Sequence, residues 1–108
     1  MPQPMTAIPM DELFDADGFL RDPAWWSETL ADRIAQADGL GPLNDLQLGL
    51  LRALRREYEK HGIVPALSHV CHLTGQSADC MHHLFPTARA AWRIAGLPNP
   101  GEEAKAYL

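Results

Sequence analysis

Apolar residues along this chain recur three and four positions apart, the period of one helix face, in five separate windows. The first opens at Asp22-Pro23, with Asp as N-cap and Pro at the first helical position, where its missing N–H costs no hydrogen bond. Trp26, Leu30, Ile34 and Ala37 follow on one face, and Gly39 with Gly41-Pro42 closes the segment. Asn44 is the next cap, ahead of a helix lined by Leu50, Leu51, Leu54 and Tyr58 and stopped by Gly62. Pro65 starts a third, short helix carrying Leu67, Val70, Cys71 and Thr74. After the turn residue Gly75, Ser77 caps a fourth with Cys80, Met81 and Leu84, ended by Phe85-Pro86. Thr87 caps a fifth, "ARAAWRIA", which Gly96 closes. No stretch alternates with period two for long, so the pattern predicts an all-α class with five short helices in one bundle.

The ends are different in kind. Residues 1–12 hold three prolines and read as a loose lead-in, and Asp17-Gly18 marks a turn flanked by Leu13, Phe14, Phe19 and Leu20. Beyond Gly96 the chain continues as "LPNPGEEAKAYL", where two prolines predict a stiff extended strap before a polar tail at 101–108. The 108 residues fit a single domain, and 46% apolar content is enough for a core.

Charge adds a modest constraint. The net charge is −5, with nine acids against Arg21 and Arg33 in residues 1–50, and seven bases against five acids in 51–108. That balance argues against wrapping of nucleic acid. The N-terminus "MPQPMTAIPM" has neither a basic nor a long apolar run, and no window reaches a membrane span, so the reading is cytoplasmic with reduced thiols.

Three clusters invite chemistry. In "HVCHLTGQSADCMHH", His69, Cys71, His72, Cys80, His82 and His83 raise the question of zinc, but Cys71 and Cys80 stand nine apart on two different helices. The expectation is no metal and no cofactor, with both thiols packed in the core and the histidines solvated. A redox pair is the competing reading, since helices joined by a tight turn can bring two Cα atoms within reach; no Cys-x-x-Cys spacing supports it. The two short helices around Gly75 have a helix-turn-helix outline, but the second carries no Arg or Lys, so DNA reading is a minor alternative. Finally, Arg52, Arg55, Arg56 and Lys60 share the second helix, either as a solvated face or as a docking patch for an acidic partner.

Taken in order, "DGFLRDPAWWSETLADRIA", "GLGPLNDLQLGLLRALRREY", "HGIVPALSHVCHLTG", "HLFP" and "RIAGLPNP" resemble the DsrC/TusE sulfur-relay family over about residues 17–100. The resemblance implies a small orthogonal helical bundle with a helix-turn-helix-like centre, spanning 13–100, and a C-terminal arm at 101–108. The family's N-terminal hairpin would be shortened or absent. It further implies that a penultimate arm cysteine carries sulfane sulfur between relay proteins, sulfite reductase and the tRNA thiolation pathway, with a second cysteine eleven residues earlier. Carried onto this chain, those positions are Glu103 and Trp92, neither of which can bear a persulfide, and Trp92 is expected to pack against the body. The chain departs elsewhere too: the Gly-Pro bend between "LFP" and "RIAGLP" is missing, and Gln47-Leu48 stands where a His-Trp pair is expected.

The expected function is therefore a non-catalytic interaction or regulatory protein of sulfur metabolism. Its partners would be sulfur-relay or sulfite reductase-type proteins, and it would be a monomer or weak dimer. Candidate partner contacts are Arg52, Arg55, Arg56 and Arg93 with Leu97, Pro98 and Pro100 of the arm. The alternatives are a sulfur carrier using Cys71 or Cys80, and a DNA-binding regulator.

Overall fold

Asn44 opens the longest helix with a reciprocal cap: its side chain accepts from the Gln47 N–H, and the Gln47 side chain accepts from the Asn44 N–H. The helix ends at Gly62, whose φ of +71° is the left-handed turn that a side chain resists. A computed structural model describes residues 10–106 and 108; residues 1–9, most of the expected lead-in, lie outside the described residues. Among the described residues there are six α-helices and no strand: α1 Glu28–Ala37, α2 Asp45–His61, α3 Leu67–Leu73, α4 Cys80–Leu84, α5 Ala88–Ile94 and α6 Glu102–Lys105. Short 3-10 turns at Met10–Leu13 and Pro23–Trp25 precede them.

Five helices were expected, and α1 to α5 are those five. Two begin later than the caps suggested. Asp22 caps only the 3-10 turn, Trp26 is extended, and Ser27 caps α1 by accepting from the Leu30 N–H. Ser77 donates to Asp79 across the turn instead of capping, so α4 starts at Cys80. Among the described residues, what corresponds to the N-terminal hairpin is one antiparallel bridge, Phe14 to Leu20, closed by Arg21 N–H to the Leu13 carbonyl at 2.8 Å.

In the bundle, α2 packs on α3 and α5, α1 on α5, and α3 and α5 both on or beside α4. The core runs from Leu13, Phe19 and Leu20 through Leu30, Ile34, Leu50, Leu51 and Leu54 to Val70, Phe85, Trp92 and Leu97, all nearly solvent-free. Each such large side chain contributes roughly 1.5–3 kcal/mol by leaving water. Tyr58 meets Trp92 edge-on, ring centroids 5.4 Å apart, which fixes α5 against α2.

Candidate functional site: the C-terminal arm and its seat

Gly96 ends α5 with φ +68° and lies against the Trp26 indole, so the chain turns sharply onto the body. Trp26 is itself held: its Nε1–H donates to the Ile94 carbonyl at 2.8 Å, and the Arg55 guanidinium lies 4.6 Å over its ring. Arg55 also donates to the carbonyls of Ala95 at 2.9 Å and Pro23 at 3.0 Å, satisfying the end of α5. Burial pushes its pKa below the ordinary arginine value, with Glu59 acting the other way.

After Gly96 the arm does not leave the body. Leu97 is buried, and the Trp92 Nε1–H donates to the Pro98 carbonyl at 2.8 Å. Asn99 Nδ2 donates to Asp17 at 2.9 Å and Asp15 at 3.2 Å, and Asn99 Oδ1 accepts from the Gly101 N–H. Then α6 forms, with Glu102 and Glu103 in its first turn and Lys105 in its last, the order that suits the helix dipole. Lys105 is buried and anchors it, its Nζ donating to Asp17 at 2.7 Å and Glu102 at 2.8 Å, while its carbonyl accepts from Arg89 at 3.2 Å. The hydrogen bond from Lys105 chiefly holds the Asp17 carboxyl below its ordinary value, with Asn99 second. The Asp17 bond, then that to Glu102, raises Lys105 above its own. The extended, polar tail expected beyond Gly96 is thus corrected: 97–100 is a strap, but a docked helix follows, because one buried cation reaches an acidic turn eighty-eight residues away.

Glu103 points outward and is exposed. It lines a surface groove of about 720 Å³ together with Pro100 and Ala104 of the arm, Leu108, Ile63 to Ala66 of the α2–α3 connection and Leu67 at the start of α3. Trp92 is completely buried beneath the arm. The two positions that matched arm cysteines are therefore one core indole and one surface carboxylate.

The other sequence-predicted residues scatter. Cys71 and Cys80 are joined, with Cα atoms 5.8 Å apart and both residues in the core, so the expectation of two reduced thiols is corrected. The burial was anticipated; the bond was not, because the 74–79 turn brings α4 back over α3 in a way spacing does not reveal. His72, His82 and His83 are exposed, His83 pairing with Asp79 at 3.1 Å, and His69 stands 3.6 Å from the buried Glu57 carboxylate. Ser77 first, then His83, holds Asp79 below the ordinary carboxylate value. Among the described residues no three His, Cys, Asp or Glu side chains gather closely enough to share a metal ion.

Of the candidate partner contacts, Arg56 is exposed and Arg52 is an exposed pair with Glu28 at 2.6 Å. Arg55 is committed to the fold, as is Arg93, which binds Asp38 at 2.7 Å and the Gly18 carbonyl at 2.8 Å. Leu97 is core rather than surface while the arm is docked, and Pro98 and Pro100 are half-buried. Sequence reading missed Asp17, Asn99 and Lys105, whose roles depend on contacts no local window contains.

A family model described as "DsrC like protein" matches residues 10–102. The sulfurtransferase TusE of Pectobacterium atrosepticum is 32% identical over 95 residues, covering 80% of this chain and 86% of the relative. Among solved structures, the oxidized gamma-subunit of the dissimilatory sulfite reductase (DsrC) from Archaeoglobus fulgidus superposes with a TM-score of 0.68 at 29% identity, covering 82% of this chain and 89% of that one. Allochromatium vinosum DsrC gives 0.69 at 30% identity, covering 82% and 87%.

Proposed function

We infer the function from kinship, since this chain belongs to the DsrC-like family, and we propose that it serves a sulfur relay as a binding protein rather than as a carrier of sulfur on its arm. The observation that carries this reading is the residue at the arm position where the resemblance places a cysteine. Sulfane transfer needs a thiolate that can accept and release sulfur. At position 103 this chain presents a carboxylate, and the partner position 92 is an indole sealed in the core. The scaffold around them is intact, so the protein keeps the shape by which arm-bearing relatives are recognised. It would occupy their partners, relay proteins or sulfite reductase-type assemblies, without passing sulfur on. The setting in this reading is the cytoplasm, where such relays operate, and the protein acts as a monomer or weak dimer.

Incubation of the full chain with a persulfide donor, read by intact mass, tests the reading. The wild type should gain no sulfur atom, and Glu103→Cys should gain one, because that position is exposed beside a groove. Competition of the wild type against an arm-bearing relative for a relay partner should show displacement. A second reading is kept because two sulfurs do meet in the structure. Sulfur added to the wild type, and abolished by Cys71→Ser or Cys80→Ser, would make the protein a carrier at that pair and overturn the binding-only role. DNA recognition through α3 and α4 has little in its favour: α4 presents His82, His83 and the acid Asp79 beside it, with no Arg or Lys.

A further inference from the structure

We propose that Cys71 and Cys80 are a reversible dithiol–disulfide site that exchanges with small thiols of the glutathione class, and that reduction frees α4 from α3. Cys71 sits within α3 and Cys80 begins α4, so the bond is a covalent tie across the helix-turn-helix-like pair. Both residues are almost solvent-free, at 0% and 2% exposure, so exchange requires a local opening rather than direct attack.

The surroundings permit both redox states. The pair belongs to the same apolar cluster as Val70, Met81 and Phe85. A protonated thiol behaves there as a small hydrophobe, so reduction leaves no buried charge and the core tolerates it. The surroundings also permit the opening. Between the two cysteines, His72, Leu73, Gly75, Ser77, Ala78 and Asp79 are all exposed. The following helix has five residues and no side-chain cap bond. Besides the burial of Met81 and Phe85, it is tied to the body by Gln47 Nε2–H donating to the Leu84 carbonyl at 2.8 Å. Segments of this kind open as sub-global units while the rest of the domain stays folded.

The chemistry balances with glutathione as the named reductant. One glutathione thiolate attacks a protein sulfur, breaking the S–S bond and forming a mixed disulfide, and the released cysteine thiolate takes a proton. A second glutathione thiolate attacks the glutathione sulfur of the mixed disulfide, freeing the other cysteine, which is protonated in turn. Two electrons pass to the protein pair, and glutathione disulfide leaves; oxidation retraces the same steps. With the bonded positions nine apart in sequence, losing the bond returns the loop's entropy to the opened state and raises its population by about a hundredfold.

The test is hydrogen exchange of the full chain in glutathione redox buffers without denaturant, with thiols counted by alkylation after unfolding. Two thiols should appear under reducing buffer and vanish under oxidising buffer. Amide protection across α4 should fall by up to about a hundredfold on reduction, while α1 and α2 keep theirs. Cys71→Ala with Cys80→Ala should show the reduced pattern in either buffer. Reduction that occurs only where denaturant unfolds the whole chain would overturn the proposal, as would unchanged α4 protection in the dithiol form. Partner binding plays no part in the readout, so this result and that for the binding-only role stand apart.

Discussion

Replacing Gly96 with alanine should be among the most damaging single-methyl changes available in this protein. Two costs combine at that position. With φ at +68° the backbone is left-handed, which costs a residue bearing a Cβ roughly 1–2 kcal/mol. The added methyl would also stand 2.7 Å from Cγ and 2.9 Å from Cβ of Trp26, inside van der Waals contact. The indole cannot step aside freely, because Nε1–H is bonded to the Ile94 carbonyl and Arg55 covers its face. Overpacking of a tight site costs about 1–3 kcal/mol, so the total is about 3–4 kcal/mol. Gly62→Ala is the matched control: it too ends a helix, at φ +71°, but nothing lies within 4 Å of its added methyl. Urea unfolding followed by tryptophan fluorescence should place Gly96→Ala below Gly62→Ala by about 2 kcal/mol, or roughly 1 M in midpoint. Equal losses in the two variants would refute the steric account and leave only the backbone term. The Gly of the "IAGLP" segment is thus a contact requirement as much as a turn requirement.

The latch between α6 and the acidic turn should be bounded by pH on both sides. Asp17 is depressed, so its contribution is present above 3.8 and is lost as pH falls through its lower folded value. Lys105 is raised, so its contribution is present below 10.5 and is lost as pH rises through its higher folded value. Amide shifts of α6 followed by NMR across pH should show both limbs, and Lys105→Met should abolish them. Arg55→Lys should destabilise by about 1–3 kcal/mol in thermal unfolding, since an ammonium cannot reproduce the planar fork to Ala95 and Pro23 over Trp26. Trp92→Cys, the residue that the family resemblance implies for this position in many members, should cost about 3 kcal/mol in urea unfolding through the cavity left beside Tyr58; a loss below about 1 kcal/mol would show that the indole does not seat the arm.

Much of the architecture was legible along the chain because its determinants are local. Asn44 with Gln47, Gly62, Thr87 and Gly96 bound their helices through contacts spanning three or four residues, and the apolar period assigned Leu50, Leu54, Val70 and Ile94 to the core. Where local signals failed, a distant group had outbid them. Trp26 fits the helical face of its segment, yet it stays extended, its indole seated on Gly96 and the Ile94 carbonyl. Four residues of "EEAK" are too few to hold a helix in water, and they hold one here because Lys105 is fastened to Asp17. Cys71 and Cys80 were recognisable as core residues from their helix faces, but whether two core sulfurs touch depends on how α4 folds back. Glu103 and Trp92 could be assigned by position, since residue identity is all that a missing thiol requires. That Trp92 would pack against the body was an expectation of the sequence and holds, but that the arm would lie over it and Glu103 would face a groove followed only from packing, because such placement is a property of the whole fold and not of any window within it.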